Sequence, residues 1–260
     1  FRSSSLEWLD LARGLYSNIL TVNKFGRNAG ISSTLQPITF GGDYQVPQTA
    51  TTLRIAGGNT NDTAAGSGAR SITLEGLDEN FELASEVLAT AGVADSAFTT
   101  TTFTRLFRAY VTPLVGSGSY ATATTPSHAG NIVIEDGTNT WATIDAAVFP
   151  TSQSEIGAYT IPAGYTGYVF LSDVTADSGK AINLFFFSRA NADQTSAPYS
   201  AMRAQSVITG LSGGSIGVFG SDTIPLGGYV GPTDIGFMGK VASGSAECSV
   251  QFEIFLVANA

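Results

Sequence analysis

From about residue 30 onward, apolar and polar residues alternate in short segments that are separated by turn residues. The clearest segment runs from Ala69 to Leu77 and places Ile72 and Leu74 on one face. Because successive side chains of a strand point to opposite faces of a sheet, this alternation predicts half-buried β-strands. Asp136-Gly137 lies between two such segments and predicts a hairpin turn. No helical periodicity intervenes, so we expect antiparallel sheets rather than a parallel sheet.

The pattern predicts roughly eight strands before residue 150 and seven or eight after it. The simplest architecture is all-β, with two tandem antiparallel β-sandwiches of jelly-roll-like type and a short N-terminal helix. The expected divisions are an N-terminal helix or arm over 1–30, a first sandwich over 31–150 and a second over 151–260. A single larger sandwich is the alternative. A further turn is predicted at Pro162-Ala163-Gly164, and hairpin turns are predicted at Asp177-Ser178-Gly179 and Ser243-Gly244-Ser245.

Residues 3–16 carry the one helical signal. Ser4-Ser5-Leu6-Glu7 matches a capping box, and Gly14 is a plausible terminator. A helix here is apolar almost all round, and a short apolar helix is marginal alone in water. Such a helix must dock on its own domain or on a neighbouring subunit, and we expect residues 3–20 to anchor the chain to another copy or to a capsid subunit. The candidate assembly anchors are Trp8, Leu9, Leu11 and Tyr16, together with Phe186 from the aromatic run Phe185-Phe186-Phe187.

Composition excludes several classes of protein. The chain of 260 residues has a formal net charge of -9, and only 13% of its residues are charged. An acidic chain with three lysines does not suit the phosphates of a nucleic acid, so no direct nucleic-acid partner is expected. One cysteine and one histidine exclude a disulfide framework and a Cys/His metal site. No run reaches 18 apolar residues, so no membrane insertion is predicted.

The nucleophile motifs lack the context that catalysis requires. Gly210 to Gly214 fits G-x-S-x-G around Ser212, but no helix is predicted after it and the only histidine, His128, comes earlier in the chain. His128 is expected to be a solvated loop residue, and Cys248 a buried small hydrophobe. No P-loop is present. The chain is therefore predicted not to be an enzyme, with no catalytic, cofactor-binding or metal-binding residues.

Two other residue classes have a structural and a functional interpretation. Acidic residues cluster at Asp78/Glu79/Glu82 and at Asp173/Asp177, where turn capping is favoured over a glycosidase pair. Aromatic residues could form a sugar platform, but strand placement favours a packing role. The aromatic residues concerned are Trp141, Tyr159, Tyr165, Tyr168, Tyr199 and Tyr229.

Four segments together resemble a family of virion structural proteins from tailed bacteriophages, especially marine ones. They are Val22 to Asn28 (VNKFGRN), Asn61 to Asp78 (NDTAAGSGAR running into LEGLD), Tyr159 to Gly164, and Phe252 to Val257. The resemblance spans about residue 20 to the end, and the tract Gly116–Ala129 departs from the family's pattern. It implies a component of the virus particle without enzymatic residues.

The resulting functional expectation is a structural virion protein, foremost a capsid decoration or cement protein. Its expected partners are copies of itself, as a homo-oligomer and foremost a trimer by analogy with phage decoration and fibre proteins, and other virion proteins such as the major capsid protein. Its expected location is the virion, after synthesis in the host cytoplasm. A tail or head-fibre adhesin for host glycans and a carbohydrate-active enzyme are the alternatives.

Overall fold

The protein is built almost entirely from β-strands. The structure, a computed structural model, describes residues 10–11, 13–41, 43–46, 49–112, 128–146, 151–177, 179–219 and 226–259, which leaves most of the 116–129 tract outside. Eight strands precede residue 150 in these ranges and eight follow it, which confirms the all-β antiparallel prediction. The strands are β1 Ile19–Ile31, β2 Gln36–Pro37, β3 Arg54–Ile55, β4 Ser71–Leu77, β5 Leu83–Ala89, β6 Arg105–Val111, β7 Ile132–Glu135, β8 Thr140–Ile144, β9 Ala158–Ile161, β10 Tyr165–Ala176, β11 Ile182–Ala190, β12 Arg203–Leu211, β13 Gly214–Phe219, β14 Leu226–Val230, β15 Thr233–Val241 and β16 Ala246–Ala258.

These strands form four antiparallel sheets. Sheet I has the order β1-β16-β10-β13, with β14 also paired to β10, and sheet II has the order β12-β11-β15-β2, with β9 also paired to β15. Sheet III is β3-β7-β8 and sheet IV is β5-β4-β6. The four sheets are arranged propeller-like rather than as two clear sandwiches, so the tandem-sandwich description stays a prediction.

The first strand pairs with the last. β1 runs antiparallel to β16 from Ile19 opposite Val257 to Asn28 opposite Cys248. The sequence pattern placed residues 1–30 in a helix or arm, and it missed this strand because Lys24 and Arg27, which are polar, are buried in it. Sheet I therefore draws strands from both ends of the chain. The expected divisions at residues 30 and 150 stay predictions.

Two apolar clusters form the interior. The first joins the inner faces of sheets I and II, where Phe186 and Phe237 of sheet II meet Phe252 of sheet I at ring-centroid distances of 6.0 and 5.8 Å. The second lies between sheets III and IV and is built around residues such as Phe103 and Trp141. Each cluster removes large apolar side chains from water, which is the main favourable contribution to folding.

Two predicted turns are confirmed by their geometry. Asp136-Gly137 joins β7 to β8, and Gly137 has a φ of 90°, where glycine is favoured. The Asp136 carboxylate accepts hydrogen bonds from the Trp141 indole and from the amides of Thr138 and Asn139. Partial burial opposes their effect, but these bonds lower the pKa of Asp136 to about 2. The second turn is Pro162 to Gly164, where the Tyr165 amide donates to the Pro162 carbonyl.

Two other turn predictions were right about the turn but wrong about a hairpin. Gly244 has a φ of 75°, yet β15 before it lies in sheet II and β16 after it lies in sheet I. The Asp177 turn likewise leads from β10 of sheet I to β11 of sheet II. Alternation shows which face of a strand is buried, but it does not show which strand is its neighbour.

The predicted N-terminal helix is only partly within the described residues, because 1–9 and 12 lie outside them. Asp10 and Leu11 are helical, and the helix ends at Gly14 with a φ of 68°. The Gly14 amide donates to the Leu11 carbonyl and the Leu15 amide to the Asp10 carbonyl. This pair of bonds has the pattern of a Schellman motif at Gly14. The helix over residues 3–16 stays a prediction.

A buried ionic network joins the two halves of the molecule. Asp234 on β15 accepts two bonds from Arg105 on β6, at 3.0 and 3.2 Å, and another from Arg189 on β11 at 2.9 Å. The Asp234 and Arg105 side chains are each 1% exposed. Burial by itself would raise the pKa of Asp234, but the two guanidinium groups outweigh burial and hold that pKa below its usual value.

We predict that Asp234→Asn destabilises the protein by about 3 to 5 kcal/mol, because it leaves two guanidinium groups without their counter-ion, one of them deeply buried. The matched control is Asp95→Asn, in the more accessible Arg54–Asp95 pair at 2.8 Å, and we expect it to cost about 1 kcal/mol or less. Urea denaturation of both variants measures the difference. Equal small losses for the two substitutions would contradict this role of Asp234.

Candidate functional site

The predicted N-terminal anchors are placed only in part. Trp8 and Leu9 lie outside the described residues. Leu11 is half-buried and, with Val22 and Phe255, lines a cavity of about 350 Å³ beside β1 and β16. Tyr16 is 40% exposed. The end of the helix therefore lies close to sheet I, and its attachment to another subunit stays a prediction.

Phe186, the fifth predicted anchor, is in the core. Its side chain is 0% exposed, and its ring lies 5.0 Å from that of Phe237. It cannot contact a partner from this position, which corrects the assignment. The run of three phenylalanines places side chains on both faces of sheet II, as alternation requires. Phe185 lies on the face away from Phe186, where it is opposite Val207.

A row of apolar side chains crosses this outer face of sheet II. Val207 is opposite Phe185, Phe185 is opposite Met238, and Met238 is opposite Pro37. Directly opposed residues of antiparallel strands share one face, so the four side chains form a continuous row. Val207 is 65% exposed, and other exposed apolar residues nearby are Leu35, Val46 and Met202. We call these seven residues the outer patch of sheet II.

The outer patch ends at β12, an edge strand of sheet II. β12 pairs with β11 on one side only, so its other edge presents backbone donors and acceptors that no strand in the described ranges pairs with. Edge strands are usually guarded by lysines, prolines or inward charges. β12 has one charged residue, Arg203 at its start. Sequence reasoning missed Phe185 and Val207, although the lack of charge after Arg203 was a usable signal.

Two of the four segments quoted for the family resemblance have structural roles. In NDTAAGSGAR, the buried Asp62 carboxylate accepts the amides of Ala69, Ala129 and Gly130 at 2.8 to 3.0 Å. It thereby joins two loops that are far apart in sequence. Gly68 is required beside it, because a Cβ there would lie 2.1 Å from Asp62 Oδ1.

In VNKFG, Lys24 is 3% exposed and donates to the carbonyl of Phe107. Phe107 is the extra residue of a β-bulge, because Glu75 is opposite Arg108 while Gly76 is opposite Leu106. The Lys24 ammonium of sheet I is therefore hydrogen-bonded to the backbone carbonyl at the β-bulge of sheet IV. Burial first, and the charge of Arg108 second, lower the pKa of Lys24 to about 7, against a smaller raising effect of Glu75.

A buried carboxylate pair was not foreseen from the sequence. Arg27 on β1 lies 2.8 Å from Asp145 and 2.7 Å from Glu155, both nearly inaccessible, and 3.6 Å from Glu247. Burial raises the pKa of Glu155 in spite of Arg27. One guanidinium pairs with both buried carboxylates, so the arrangement is a buried ion cluster. Arg27, Glu155 and Glu247 also line a pocket of about 350 Å³ together with Asp173.

The residues considered as nucleophiles or bases have other positions. Ser212 lies in a turn between β12 and β13, where Gly210 and Gly213 have positive φ. His128 is 7% exposed, with Nε2 2.9 Å from the Asp145 carbonyl oxygen, so the expectation of a solvated histidine was wrong. Cys248 is 1% exposed, as predicted for a buried hydrophobe, and burial raises its pKa to about 12.

The acidic turns and the aromatic residues mostly follow the structural interpretation. Asp78 accepts the amides of Asn80 and Glu82 in the turn between β4 and β5. Trp141 and Tyr159 are each 2% exposed. Of the six aromatic residues considered as a sugar platform, Tyr199 alone is exposed, with 47% of its surface accessible. Within the described ranges, no group of three or more His, Cys, Asp or Glu side chains could hold a metal ion. No helix in those ranges is long and apolar enough to cross a membrane.

Comparison with known proteins adds little to this geometry. No family model matches the chain, and no curated protein matches it. Among solved structures, the isomalto-dextranase of Arthrobacter globiformis T6 with panose has a TM-score of 0.21 and 11% identity, over 85% of this chain and 36% of that one. The chain thus spans about a third of that enzyme.

A structure of infectious bursal disease virus, Gx strain, has a TM-score of 0.22 and 9% identity, over 92% of this chain and 76% of that chain. The T13 particle of the same virus has a TM-score of 0.14 at 12% identity, over 92% and 78% of the two chains. All three are weak similarities.

We predict that the free energy of unfolding rises with pH between 7 and 9 because of Lys24. Its pKa is about 7 in the folded protein and 10.5 in the unfolded chain, so the unfolded state holds the extra proton in this window. The free-energy cost of burying the charged Lys24 ammonium applies in full below pH 7, and it is removed as the lysine loses its proton at higher pH. The contribution approaches about 1.4 kcal/mol per pH unit.

Lys24→Met provides the comparison, because it removes this titration and should flatten the curve. Denaturant titrations of both proteins at pH 7, 8 and 9 measure the slopes. Above this window, Cys248 and tyrosines begin to ionise in the unfolded chain and reverse the trend. Parallel curves for the two proteins would show that Lys24 does not carry the effect.

Proposed function

We propose that this chain is a non-enzymatic structural component of a tailed-phage virion, foremost a capsid decoration or cement protein. The observation that carries the proposal is the outer patch of sheet II lying next to the unguarded edge of β12. Such a face supports association through strand pairing and apolar contact rather than through charged steering. The family resemblance supplies the virion setting, with synthesis in the host cytoplasm.

The outer patch favours copies of the same chain as partners. The row Val207–Phe185–Met238–Pro37 is uncharged, and β12 has no charge after Arg203, so a second β12 meets no like charge along most of its length. The row itself carries no charge, whereas Asp43, which is exposed, and Arg189 line the same pocket as Leu35, Val46 and Met202. The surface supports self-association, whereas a homotrimer and contact with the major capsid protein follow from the resemblance.

The finer architecture fits the same proposal. Sheets I and II share one apolar cluster and sheets III and IV share another, so each pair of sheets would act as a sandwich-like unit of jelly-roll-like type. The adhesin alternative would require a group of exposed aromatic residues. Of the six aromatic residues considered, one is exposed, namely Tyr199 at 47%.

We predict that Val207→Asp converts a self-associating protein into a monomer without loss of folding. Val207 is 65% exposed, so the substitution places a charge in the proposed contact at little cost to the fold. The control is Val87→Asp, on the edge strand β5 of sheet IV, where Val87 is 53% exposed. Sedimentation at tens of micromolar, roughly the range of moderate interface affinities, distinguishes the three proteins. A monomeric wild type, or a Val207→Asp variant that associates like the wild type, refutes self-association through this patch.

We further predict that a chain lacking residues 1–16 folds but is not incorporated into particles. The deletion stops short of Ile19, where β1 begins to pair with β16, so sheet I is preserved. It removes Trp8, Leu9, Leu11 and Tyr16, the proposed anchors. Electron microscopy of particles assembled with each chain measures incorporation and locates the protein on the capsid, tail or fibre. Normal incorporation of the shortened chain rejects the anchoring role.

A further inference from the structure

A cavity of about 450 Å³ lies between sheets I and IV. Its walls are mainly apolar and come from both sheets and from β9. The larger apolar residues are Leu20, Val22, Leu83, Phe107, Tyr159 and Leu256. Leu20 and Leu83, which are 41% and 50% exposed, contribute its solvent-accessible wall. This volume is within the range of about 300 to 1,000 Å³ that is typical of small-molecule sites.

Three charged groups line this cavity. Lys24 comes from β1, Arg108 from β6 and Glu75 from β4. Arg108 donates to the Asn23 carbonyl at 2.6 Å, and Glu75 accepts from the Tyr110 hydroxyl at 3.1 Å. Two positive groups thus face one negative group. The Tyr159 hydroxyl is neutral, because burial raises its pKa.

Lys24 is the buried polar group of the cavity. Its ammonium has three N–H donors, and one hydrogen bond is made, to the Phe107 carbonyl. None of the ion pairs among the described residues includes Lys24. A buried cation without a counter-ion is costly, and a bound anion would offset that cost.

We propose that this cavity binds a small aliphatic carboxylate, whose carboxylate accepts hydrogen bonds from Lys24 and whose hydrocarbon body packs against the apolar walls. Arg108 adds a second positive charge on the same lining. An apolar ligand without a charge would leave Lys24 without a counter-ion, and a small inorganic anion would leave the apolar walls unfilled. The chemistry of the lining therefore selects for both parts of the ligand.

Binding should depend on pH in a defined direction. The ligand is held by the ammonium form of Lys24, whose pKa is about 7 in the absence of ligand. Affinity is therefore highest below pH 7 and falls as pH rises, by up to about tenfold per pH unit. Glu75 and Arg108 are the other charged groups on this lining, and the Lys24→Met variant identifies the part of the pH dependence that comes from Lys24.

The test uses octanoate as the probe and octanol as its uncharged counterpart, with binding measured by titration calorimetry at pH 6.5 and 8.5. We expect octanoate to bind the wild type at pH 6.5 and to bind more than about tenfold more weakly at pH 8.5. Octanol should bind much more weakly than octanoate at pH 6.5. Lys180→Met, which removes an exposed lysine elsewhere, should bind octanoate like the wild type.

Two variants keep the test decisive. Lys24→Met retains an apolar stem of similar shape and should lose octanoate binding by at least tenfold. Leu83→Trp enlarges an exposed side chain on the cavity wall and should obstruct octanoate even if Lys24→Met folds poorly. The proposal is overturned if the wild type does not bind octanoate at pH 6.5 or if octanol binds as tightly as octanoate. It is also overturned if Lys24→Met and Leu83→Trp both fold and both bind octanoate like the wild type. None of these outcomes bears on self-association through β12.

Discussion

The fold depends on one buried carboxylate, that of Asp234. It accepts hydrogen bonds from Arg105 of sheet IV and from Arg189 on the neighbouring strand of sheet II. The Thr160 hydroxyl, on β9, donates a further bond to it at 2.5 Å. The junction between the two apolar clusters is therefore ionic at this point. A buried ion group is stable only when its partners are in place, so Asp234 restricts how sheet IV can sit on sheet II. An apolar junction would tolerate sliding that this network does not.

Two more cation contacts repeat this arrangement from β1. Arg27 meets two buried carboxylates of the segments that follow β8, and Lys24 takes up the carbonyl of the Phe107 bulge in sheet IV. Both residues lie on β1, which pairs with the last strand, β16. Their contacts therefore connect the strands at the two ends of the sequence to segments from its middle. Such directional contacts orient the sheets while the apolar clusters supply most of the stabilisation. The outer patch of sheet II adjoins this framework, because Asp234 and Arg189 line the same pocket as five of its seven residues.

The predictions that succeeded were the local ones. The strand at Ser71–Leu77 and the turn at Asp136-Gly137 depend on residues within a few positions of one another, although that strand is buried on both faces rather than half-buried. The predictions that failed needed distant partners. β1 was missed because Lys24 and Arg27 appear polar until the carbonyl and carboxylates that satisfy them are in place. Phe186 was assigned to the wrong face, since alternation puts Phe185 and Phe186 on opposite faces without showing which face is the core.

The sequence by itself determined the all-β class, the number of strands in each half and the turn chemistry, because strand period and glycine or aspartate turns are properties of short segments. It also determined that β12 lacks the charges that guard an edge. Only the tertiary structure decided that β12 is an edge, that His128 is buried and that Asp234 and Lys24 lie between sheets. The physical reason is that burial and ion pairing are set by residues tens of positions apart, as with the 129 positions between Arg105 and Asp234.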